Sequence, residues 1–382
     1  MKQLSLIGLV FLTLTACKKE KNSNSEPTAN YHTFAGDIGI RDNSTCLSDD
    51  GNLLICGNNG ADLSVLKITK SGTQIWRTDF NAGNTSSASG ITQKNGEIFV
   101  CGYTYRNYAS QNMDVLLTKL NASGDTIWTK TYGTTEADRG NNIIATSDGN
   151  LLISARTEGF GAGTFGDIYL IKVDVNGNLI WEASYADPDQ ETAYHLMETQ
   201  NGEYLVTGTN EDPGGSGRAL YLLKVSASGQ QLWTKNIGPI WKWGFSTIET
   251  TSGELIICGQ QYLPFQQTQV MLIKTDHLGN VIWEKEYGNT QFGISETGNS
   301  VKQNPDGTFT ICGSVYDINT GATKIILVKA DENGNQIWFK KFNDYTGGNA
   351  LNLLKDGNDN ILTGNRNEGI FMTKTDGDGV YK

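Results

Sequence analysis

Two acidic clusters carry the residue types that glycan cleavage or calcium binding requires. The first contains Asp187, Asp189 and Glu191, and the second contains Glu211 and Asp212. Two carboxyl groups can act as acid and base in glycoside hydrolysis, and carboxylate oxygens are preferred Ca²⁺ ligands. Acidic loop residues more often form a solvated rim, which is the simpler interpretation. A polysaccharide-acting enzyme that uses these loops is therefore the alternative function, not the main one.

The histidines do not form a catalytic or metal-binding pattern. The chain has three histidines, and their spacing from Cys, Asp and Glu residues matches no zinc motif. His195 falls in a predicted innermost strand, where a core or channel histidine is expected. Residues 174–178 are similar to a calcium loop, but the Gly comes too early, so an Asx turn is predicted. We predict no catalytic residue, no metal and no cofactor.

Aromatic and arginine residues are concentrated in the longer predicted loops. Flat aromatic side chains provide apolar area for a sugar ring or for a protein partner. Trp241 and Trp243 are the only tryptophans outside a repeated position. The simpler alternative is that several of these side chains turn inward and cap the fold. The candidate ligand-binding residues are Tyr103, Tyr105, Arg106, Tyr108, Arg139, Arg156, Phe160, Phe165, Trp241, Trp243, Tyr262, Phe265 and Phe292.

A repeated Lys, Gly and Trp pattern defines the elements that must position these loops. Seven lysines are each followed by a Gly five residues later, and in six units a Trp stands nine residues after the Lys. The units recur about every 50 residues, a period typical of repeat architectures. The lysines are Lys67, Lys119, Lys172, Lys224, Lys274, Lys329 and Lys374, and the tryptophans are Trp76, Trp128, Trp181, Trp233, Trp283 and Trp338.

One unit, residues 141–184, contains four apolar runs that are separated by turn residues and a variable loop. Asp148-Gly149 and Asn176-Gly177 lie between consecutive runs and are strong hairpin signals. Four strands in a meander predict a propeller blade. A two-residue turn at Asn176-Gly177 would place Lys172 opposite Trp181, with the ammonium near the indole face or the solvent. An anion site formed by the seven lysines is the functional alternative.

The seventh unit lacks its Trp, and a segment near the start of the chain should complete it. The Lys and the Gly are present, but the sequence ends before the Trp position. In blades two to five, a nearly constant interval separates the first turn Gly from the Trp of the preceding unit. The same interval counted back from Gly51, the first turn Gly of blade one, reaches Tyr31. Residues 31–34 should therefore form the outer strand of the last blade. The predicted fold is all-β: a seven-bladed β-propeller of four-stranded antiparallel blades over residues 31–382, closed by an N-terminal strand.

Four cysteines occupy one repeated position and are predicted to be free. Each precedes a Gly in an apolar run, and Ser or Thr stands there in the other units. Equivalent positions in different blades lie too far apart for a disulfide, so we predict small buried side chains on an inner strand. These residues are Cys56, Cys101, Cys258 and Cys312.

The repeat resembles that of the quinoprotein-like (PQQ-type) propellers. Ala330, Gly334 and Trp338 keep the Gly–Trp spacing of that family's motif, in a unit that is one residue shorter. The units are also similar to the Lys-x-Asp-x-x-Gly-x-x-x-Trp units of propeller lipoproteins of Bacteroidota. This resemblance covers residues 31–382 and implies the fold, whereas functions vary widely within such folds. It does not extend to the ring-centre residues that hold the quinone, so no cofactor is expected.

The first thirty residues have the pattern of a lipoprotein leader and tether. Residues 1–16 contain a short apolar run after a basic start, as signal peptides do. The segment that ends at Cys17 resembles the lipobox of bacterial lipoproteins, which implies cleavage before Cys17 and lipidation of its thiol. Residues 17–30 form a polar tether. Lys18, rather than Asp, follows the Cys, which by the same resemblance favours the outer membrane; the side of the membrane stays open.

The two faces of the predicted ring differ, and the difference leads to a function. First-to-second and third-to-fourth turns of each blade lie on one face, here called the turn face, and they are short. Second-to-third loops and crossovers lie on the other face, here called the loop face, and they carry the candidate residues. The net charge of −11 without a basic stripe excludes a nucleic-acid partner. We predict an envelope lipoprotein, a non-enzymatic binding or scaffold module that recognises a glycan or protein partner through the loop face.

Overall fold

The computed structural model describes residues 31–35, 38–40, 43–82, 85–107, 112–159, 166–186, 189–211, 217–238, 241–263, 267–289, 291–343, 347–366 and 369–382. Its regular elements are β-strands, and no described residue is helical. Accordingly, this part of the chain contains no helix that is long and apolar enough to cross a membrane. The strands form seven antiparallel sheets that follow one another along the chain. Each sheet is one blade, which confirms the predicted seven-bladed propeller.

The strands of the blades follow chain order, except for the first strand of all. Blade one contains β2 (Ile38–Gly39) and β3 (Thr45–Leu47), which both pair with the next strand and together take the place of a first strand, followed by β4 (Leu53–Asn59), β5 (Asp62–Ile68) and β6 (Gln74–Phe80). Blade two contains β7 (Ser86–Lys94), β8 (Glu97–Asn107), β9 (Asn112–Leu120) and β10 (Thr126–Tyr132), and blade three contains β11 (Asp138–Ala145), β12 (Leu151–Thr157), β13 (Asp167–Val173) and β14 (Leu179–Tyr185). Blade four contains β15 (Gln190–Glu198), β16 (Tyr204–Glu211), β17 (Arg218–Val225) and β18 (Gln231–Ile237). Blade five contains β19 (Lys242–Glu249), β20 (Leu255–Leu263), β21 (Gln267–Thr275) and β22 (Val281–Tyr287). Blade six contains β23 (Ile294–Gln303), β24 (Phe309–Asp317), β25 (Ala322–Ala330) and β26 (Gln336–Phe342), and blade seven contains β27 (Asn349–Asp356), β28 (Asp359–Arg366), β29 (Gly369–Thr375) and β1 (Tyr31–Ala35).

The first strand of the chain completes the last blade. β1 pairs antiparallel with β29, and the register places Tyr31 opposite Thr373 and Ala35 opposite Gly369. The strand order in this sheet is β1-β29-β28-β27. The predicted ring closure by residues 31–34 is therefore confirmed.

The repeated Lys and Trp are direct cross-strand neighbours, as predicted. In each of blades one to six, the Lys on the third strand pairs with the Trp on the fourth. In blade three, for example, Lys172 lies opposite Trp181. Side chains directly opposite each other on antiparallel strands point to the same side of the sheet, so the Lys and the Trp of each pair are close enough to be in contact.

The turn that joins the two strands is longer than the predicted two-residue turn. A β-bulge follows the pair, and Val173 lies opposite Leu179. The backbone N–H of Asp174 donates to the carbonyl of Asn178 at 3.0 Å, and Gly177 has a φ of 73°. A hairpin loop of this kind needs one residue in the left-handed region, which explains the Gly five residues after every Lys.

The core consists of seven apolar layers, each packed between two consecutive blades. The layer between blades five and six contains Ile256, Leu272 and Ile311, and the layer between blades seven and one contains Leu53 and Ile361. All seven residues of β13 are buried. Middle strands that are covered on both sides form continuous apolar runs rather than alternating patterns.

The four repeated cysteines lie in these layers and are free, as predicted. Each is buried, and each belongs to the second strand of its blade. Cys46, which the sequence left without an interpretation, is also free and is partly buried.

The innermost strands of blades two to seven carry β-bulges at the centre of the ring. The side-chain amide of Asn43 donates to the carbonyl of Tyr194 at 2.7 Å across the ring. The ring of Tyr194 meets that of Phe245 edge-on at a centroid distance of 5.1 Å. An extra residue in a strand bends it and redirects side chains. The bulged residues in blades two to seven are Ser89, Asn141, Tyr194, Phe245, Asn299 and Leu351.

Candidate functional site

On the turn face, each repeated lysine forms an ion pair with a carboxylate of the first turn in its own blade. The N–O distances are 2.5–2.9 Å in six blades and 3.6 Å in blade six. Lys374, with Lys70, lowers the pKa of Asp356 to about 2. The partners, in blade order, are Asp50, Glu97, Asp148, Glu203, Glu254, Asp306 and Asp356.

These ion pairs correct two sequence interpretations. The ammonium groups are directed to carboxylates rather than chiefly to the indole face. Among the seven lysines, only Lys224 has its ammonium over the ring of its own Trp, at 6.0 Å from the ring centroid. An anion site formed by the seven lysines is also wrong, because each ammonium is already neutralised within its blade. A signal existed in the sequence: an Asp or Glu stands directly before or after the first-turn Gly in every unit.

Each repeated tryptophan packs on the next blade. A Cβ built on the Gly of the next third-to-fourth turn would lie only 2.7–3.1 Å from the indole in all six cases. Trp181 lies against Gly229, and its indole N–H donates to the carbonyl of Ala227 at 3.1 Å. At the ring closure, His32 takes this place against Gly72. The repeated Gly is therefore required both for its left-handed backbone and for this close approach.

The loop face carries an aromatic cluster where blades four and five meet, formed by Trp241, Trp243, Tyr262 and Arg218. The ring centroids of Trp241 and Trp243 are 6.1 Å apart, and those of Trp241 and Tyr262 are 5.8 Å apart. The guanidinium of Arg218 lies 5.5 Å from the Trp243 ring and 6.0 Å from the Trp241 ring. The structure thus brings together three predicted residues and adds Arg218, which sequence analysis missed.

The backbone fixes the aromatic cluster in place. Trp241 has a φ of 48°, in the left-handed region that bulky residues rarely adopt. The carbonyl of Trp241 accepts a hydrogen bond from the N–H of Tyr262 at 2.9 Å, so the residue is tied to β20. Arg218 is held by Glu211 at 2.6 Å. Both tryptophans remain partly exposed and Tyr262 is exposed, so the cluster has surface available for a ligand.

A smaller aromatic group on the same face joins blades two and three. Tyr103 and Tyr105 lie on β8 with ring centroids 6.0 Å apart. The guanidinium of Arg139, from β11, lies 5.9 Å from the Tyr103 ring. The structure therefore brings together three further predicted residues, at a separate place from the aromatic cluster.

Two predicted arginines are engaged within the protein. Arg106 forms an ion pair with Asp114 and donates to the carbonyl of Thr134, and the Asp114 contact raises the pKa of the guanidinium. Arg156 pairs with Glu158 at 3.6 Å. Arg106 therefore joins β8 to β9 and to the following crossover, whereas the Arg156–Glu158 pair lies within one segment of the chain.

Phe292 is the most exposed of the predicted aromatic residues that the structure describes, and it belongs to an apolar patch on blade six. The side chain is 68% exposed, and Ile318 is 59% exposed. The N–H of Ile318 donates to the carbonyl of Gly293 at 2.8 Å, which holds the two loops together. Tyr316, at the end of β24, is also exposed. Sequence analysis missed Ile318 and Tyr316.

Several sequence-predicted residues lie outside the described part of the chain. They are Cys17, Tyr108, Phe160, Phe165, Asp187, Asp212 and Phe265.

The described acidic residues of the two clusters have structural partners. Glu211 holds Arg218, and the fully buried Glu191 accepts a hydrogen bond from Asn210 at 3.4 Å. Asp189 lies immediately before β15 and is partly exposed. Within the described ranges, no group of three or more His, Cys, Asp or Glu side chains is arranged to hold a metal ion.

Other buried carboxylates hold the crossovers between blades. Asp138 accepts hydrogen bonds from the N–H of Thr134 at 2.5 Å and from its hydroxyl at 3.0 Å, and burial raises the pKa of Asp138. Glu296 accepts from the N–H of Asn289 at 2.6 Å and pairs with Lys341 at 2.8 Å. Carboxylates with this many protein partners serve as loop anchors.

The turn at residues 174–178 is the predicted Asx turn. The carboxylate of Asp174 accepts from the backbone N–H groups of Asn176 and Asn178, both at 2.8 Å. Hydrogen bonding within the turn thus satisfies the carboxylate.

Comparisons with known proteins agree with this architecture. A family model described as the outer membrane protein assembly factor BamB matches residues 43–240, which span blades one to four. No curated protein sequence matches the chain.

Solved propeller structures are similar in fold. A periplasmic gluconolactonase of Pseudomonas aeruginosa has a TM-score of 0.57 and 11% identity, over 86% of this chain and 93% of that one. The polysaccharide lyase Uly1 has a TM-score of 0.55 and 10% identity, over 91% and 92%. A puromycin hydrolase has a TM-score of 0.57 and 12% identity over 90% of this chain, which spans only 52% of the hydrolase. At such identities the likeness concerns the fold alone.

Proposed function

We propose, from the premise that this chain belongs to the family of the outer membrane protein assembly factor BamB, that it is a non-enzymatic binding module of the cell envelope. The loop face is its binding surface, and a glycan or a protein segment is its partner. A lipid anchor at Cys17 would hold the propeller at the outer membrane.

The observation that carries this proposal is the aromatic cluster at Trp241. Three aromatic rings with centroids about 6 Å apart form a surface of the width of one or two sugar rings. Tryptophan and tyrosine supply large contact area at little cost in side-chain entropy, and a nearby guanidinium adds directed donors. Arg218 fills that second role, because it lies against both tryptophans.

The strained backbone of Trp241 supports a binding role. A bulky residue with a φ of 48° costs the fold stability, and such strain is concentrated at functional sites. The backbone hydrogen bond from Tyr262 holds the Trp241 backbone beside β20, which lowers the ordering cost of binding.

The test is the double variant Trp241→Ala with Trp243→Ala on a glycan array, beside the unaltered protein. We expect a loss of at least tenfold in affinity for any bound glycan, with a melting temperature that is nearly unchanged. Ile180→Ala is the matched control, because it removes an exposed apolar side chain of an outer strand, away from the loop face. Normal binding by the double variant would remove the cluster from the binding site.

Two further measurements distinguish the partner classes. If the array shows no ligand, a pull-down from envelope extracts with the same two variants tests for a protein partner. Incubation with candidate polysaccharides, followed by an assay for new reducing ends, tests the alternative of a polysaccharide-acting enzyme. New reducing ends would contradict the non-enzymatic assignment even if the cluster binds sugar.

A further inference from the structure

A polar chamber lies at the centre of the ring, among the innermost strands. Its volume is about 60 Å³, and it is lined by the innermost strands of blades one, four, five, six and seven. The polar lining includes the hydroxyls of Thr45, Ser246 and Ser300, together with His195 and Lys302. No Asp or Glu is among the lining residues, all of which belong to the described part of the chain. The chamber is therefore rich in hydrogen-bond donors, and Lys302 is its one lysine.

Lys302 departs from the repeat at a position that is otherwise uncharged. It stands three residues after the bulge of its innermost strand. The stem of a lysine can reach solvent from a blade edge, but here the side chain enters the ring centre, and its pKa is lowered by burial. The equivalent residues in blades two, three, four, five and seven are Thr92, Ile144, Met197, Ile248 and Leu354.

The other lysines of the fold show what Lys302 lacks. Each repeated lysine has a carboxylate within 3.6 Å, whereas no ion pair involves Lys302 among the described residues. His195 is neutral, because burial and then the neighbouring Lys302 lower the pKa of its imidazole to about 3, so it adds no second positive charge. Its Nδ1 has no hydrogen-bond partner within the described structure. The Lys302 side chain is partly exposed and lines the chamber, where no carboxylate offsets its charge, so the chamber offers a site for a counterion.

We propose that the chamber binds one small inorganic anion of the size and charge of chloride, held by the Lys302 ammonium and the hydroxyls of Ser246 and Ser300. A cavity needs only about 10–15 Å³ to hold a water, so about 60 Å³ holds one such ion with a few waters. The same volume excludes a sugar or a nucleotide. The anion neutralises the ring centre and joins the innermost strands of blades five and six.

Thermal unfolding at constant ionic strength tests this site. Sodium chloride is exchanged for sodium gluconate, whose anion is too large for the chamber. We expect the melting temperature of the unaltered protein to rise saturably with chloride, by about 2 °C at ten times the dissociation constant. Lys302→Met, which keeps the length of the side chain, should lose this response. Lys94→Met, at a turn-face lysine that donates to the carbonyl of Thr146, should keep it.

Crystals of the unaltered protein grown in bromide give a second measurement that does not depend on a variant folding. We expect an anomalous peak within hydrogen-bond distance of the Lys302 Nζ. An equal chloride response in Lys302→Met and in the unaltered protein would overturn the proposal. The absence of a bromide peak in the chamber would overturn it as well.

Discussion

The turn face and the loop face of this propeller differ in how often their contacts recur. On the turn face, the Lys–carboxylate pair occurs in all seven blades and the Trp–Gly contact at six blade junctions. On the loop face, the aromatic contacts of blade five, such as Trp241 with Trp243, have no counterpart at the same position in another described blade. The recurring contacts join a blade to itself and to its neighbour, so they stabilise the ring. The unique contacts lie where a partner can reach them.

This comparison assigns opposite consequences to substitutions on the two faces. The repeated turn-face contacts hold together packing that each blade needs, so their loss should lower stability with no direct effect on a ligand. Loop-face residues outside the anchors are exposed, so their loss should change binding and leave the free energy of unfolding nearly constant.

The largest effect is expected for Gly279→Ala, on the third-to-fourth turn of blade five. A Cβ there would lie 2.9 Å from the Lys235 side chain and 3.1 Å from the Trp233 ring, on a backbone with a φ of 77°. Left-handed strain and overpacking together should cost about 3 kcal/mol. Urea unfolding measures the change.

The matched control is Gly253→Ala, on the first-to-second turn of the same blade. Its φ is 85°, but nothing lies within 4 Å of a Cβ at that position. Strain alone should then cost about 1 kcal/mol. Equal losses in the two variants would show that the Trp contact adds nothing and would break the proposed role of the repeat.

A smaller effect is expected for the ion pair of blade two, and it should be asymmetric. Glu97→Ala removes the ion-pair partner of the Lys119 ammonium. The Lys119 side chain is only 7% exposed, and the carbonyl of Val175 at 3.2 Å is its remaining acceptor. We expect a loss of about 2 kcal/mol. Lys119→Met leaves a carboxylate on a side chain that is 35% exposed, which water can solvate, so the loss should be under about 1 kcal/mol. Chemical denaturation of both variants checks the order, and a larger loss for Lys119→Met would contradict the assigned burial.

The smallest effect is expected on the loop face. Phe292→Ser removes a ring that is 68% exposed and should change the free energy of unfolding by less than about 0.5 kcal/mol. Differential scanning calorimetry beside Gly279→Ala provides the comparison. A loss above 1 kcal/mol would mean that Phe292 is packed in solution, and the loop face would then share the structural role of the turn face.

Much of the scaffold could be predicted from the sequence, because it repeats. The constant Lys–Trp interval identified the cross-strand pair, and the incomplete seventh unit located the closing strand at Tyr31. The carboxylate partner escaped prediction because it stands before the turn Gly in some blades, as Asp50 does, and after it in others, as Glu97 does. No single interval marks it. The Trp–Gly contact between blades escaped because it joins neighbouring units, whose distance along the chain varies.

The site was less predictable, because each loop occurs once. Residue type correctly drew attention to Trp241, Trp243 and Tyr262, which the structure brings together. Residue type also selected Arg106, but its guanidinium forms an ion pair with Asp114 within the protein. The sequence alone does not show whether an arginine is exposed or is held by an ion pair. Only the three-dimensional position of a neighbouring carboxylate distinguishes the two cases.

The closing strand has a consequence for how the protein is made. Among the described strands, β1 comes first in the chain and its partner β29 comes last, so the ring cannot close until β29 has been synthesised. Until then, the open ring exposes unpaired strand edges and an incompletely covered apolar layer that includes Leu53, the kind of surface that leads to aggregation. A polypeptide that stops before residue 369 lacks Ile370 and Met372, which form part of that layer. Ring closure therefore separates chains that carry β29 from chains that do not.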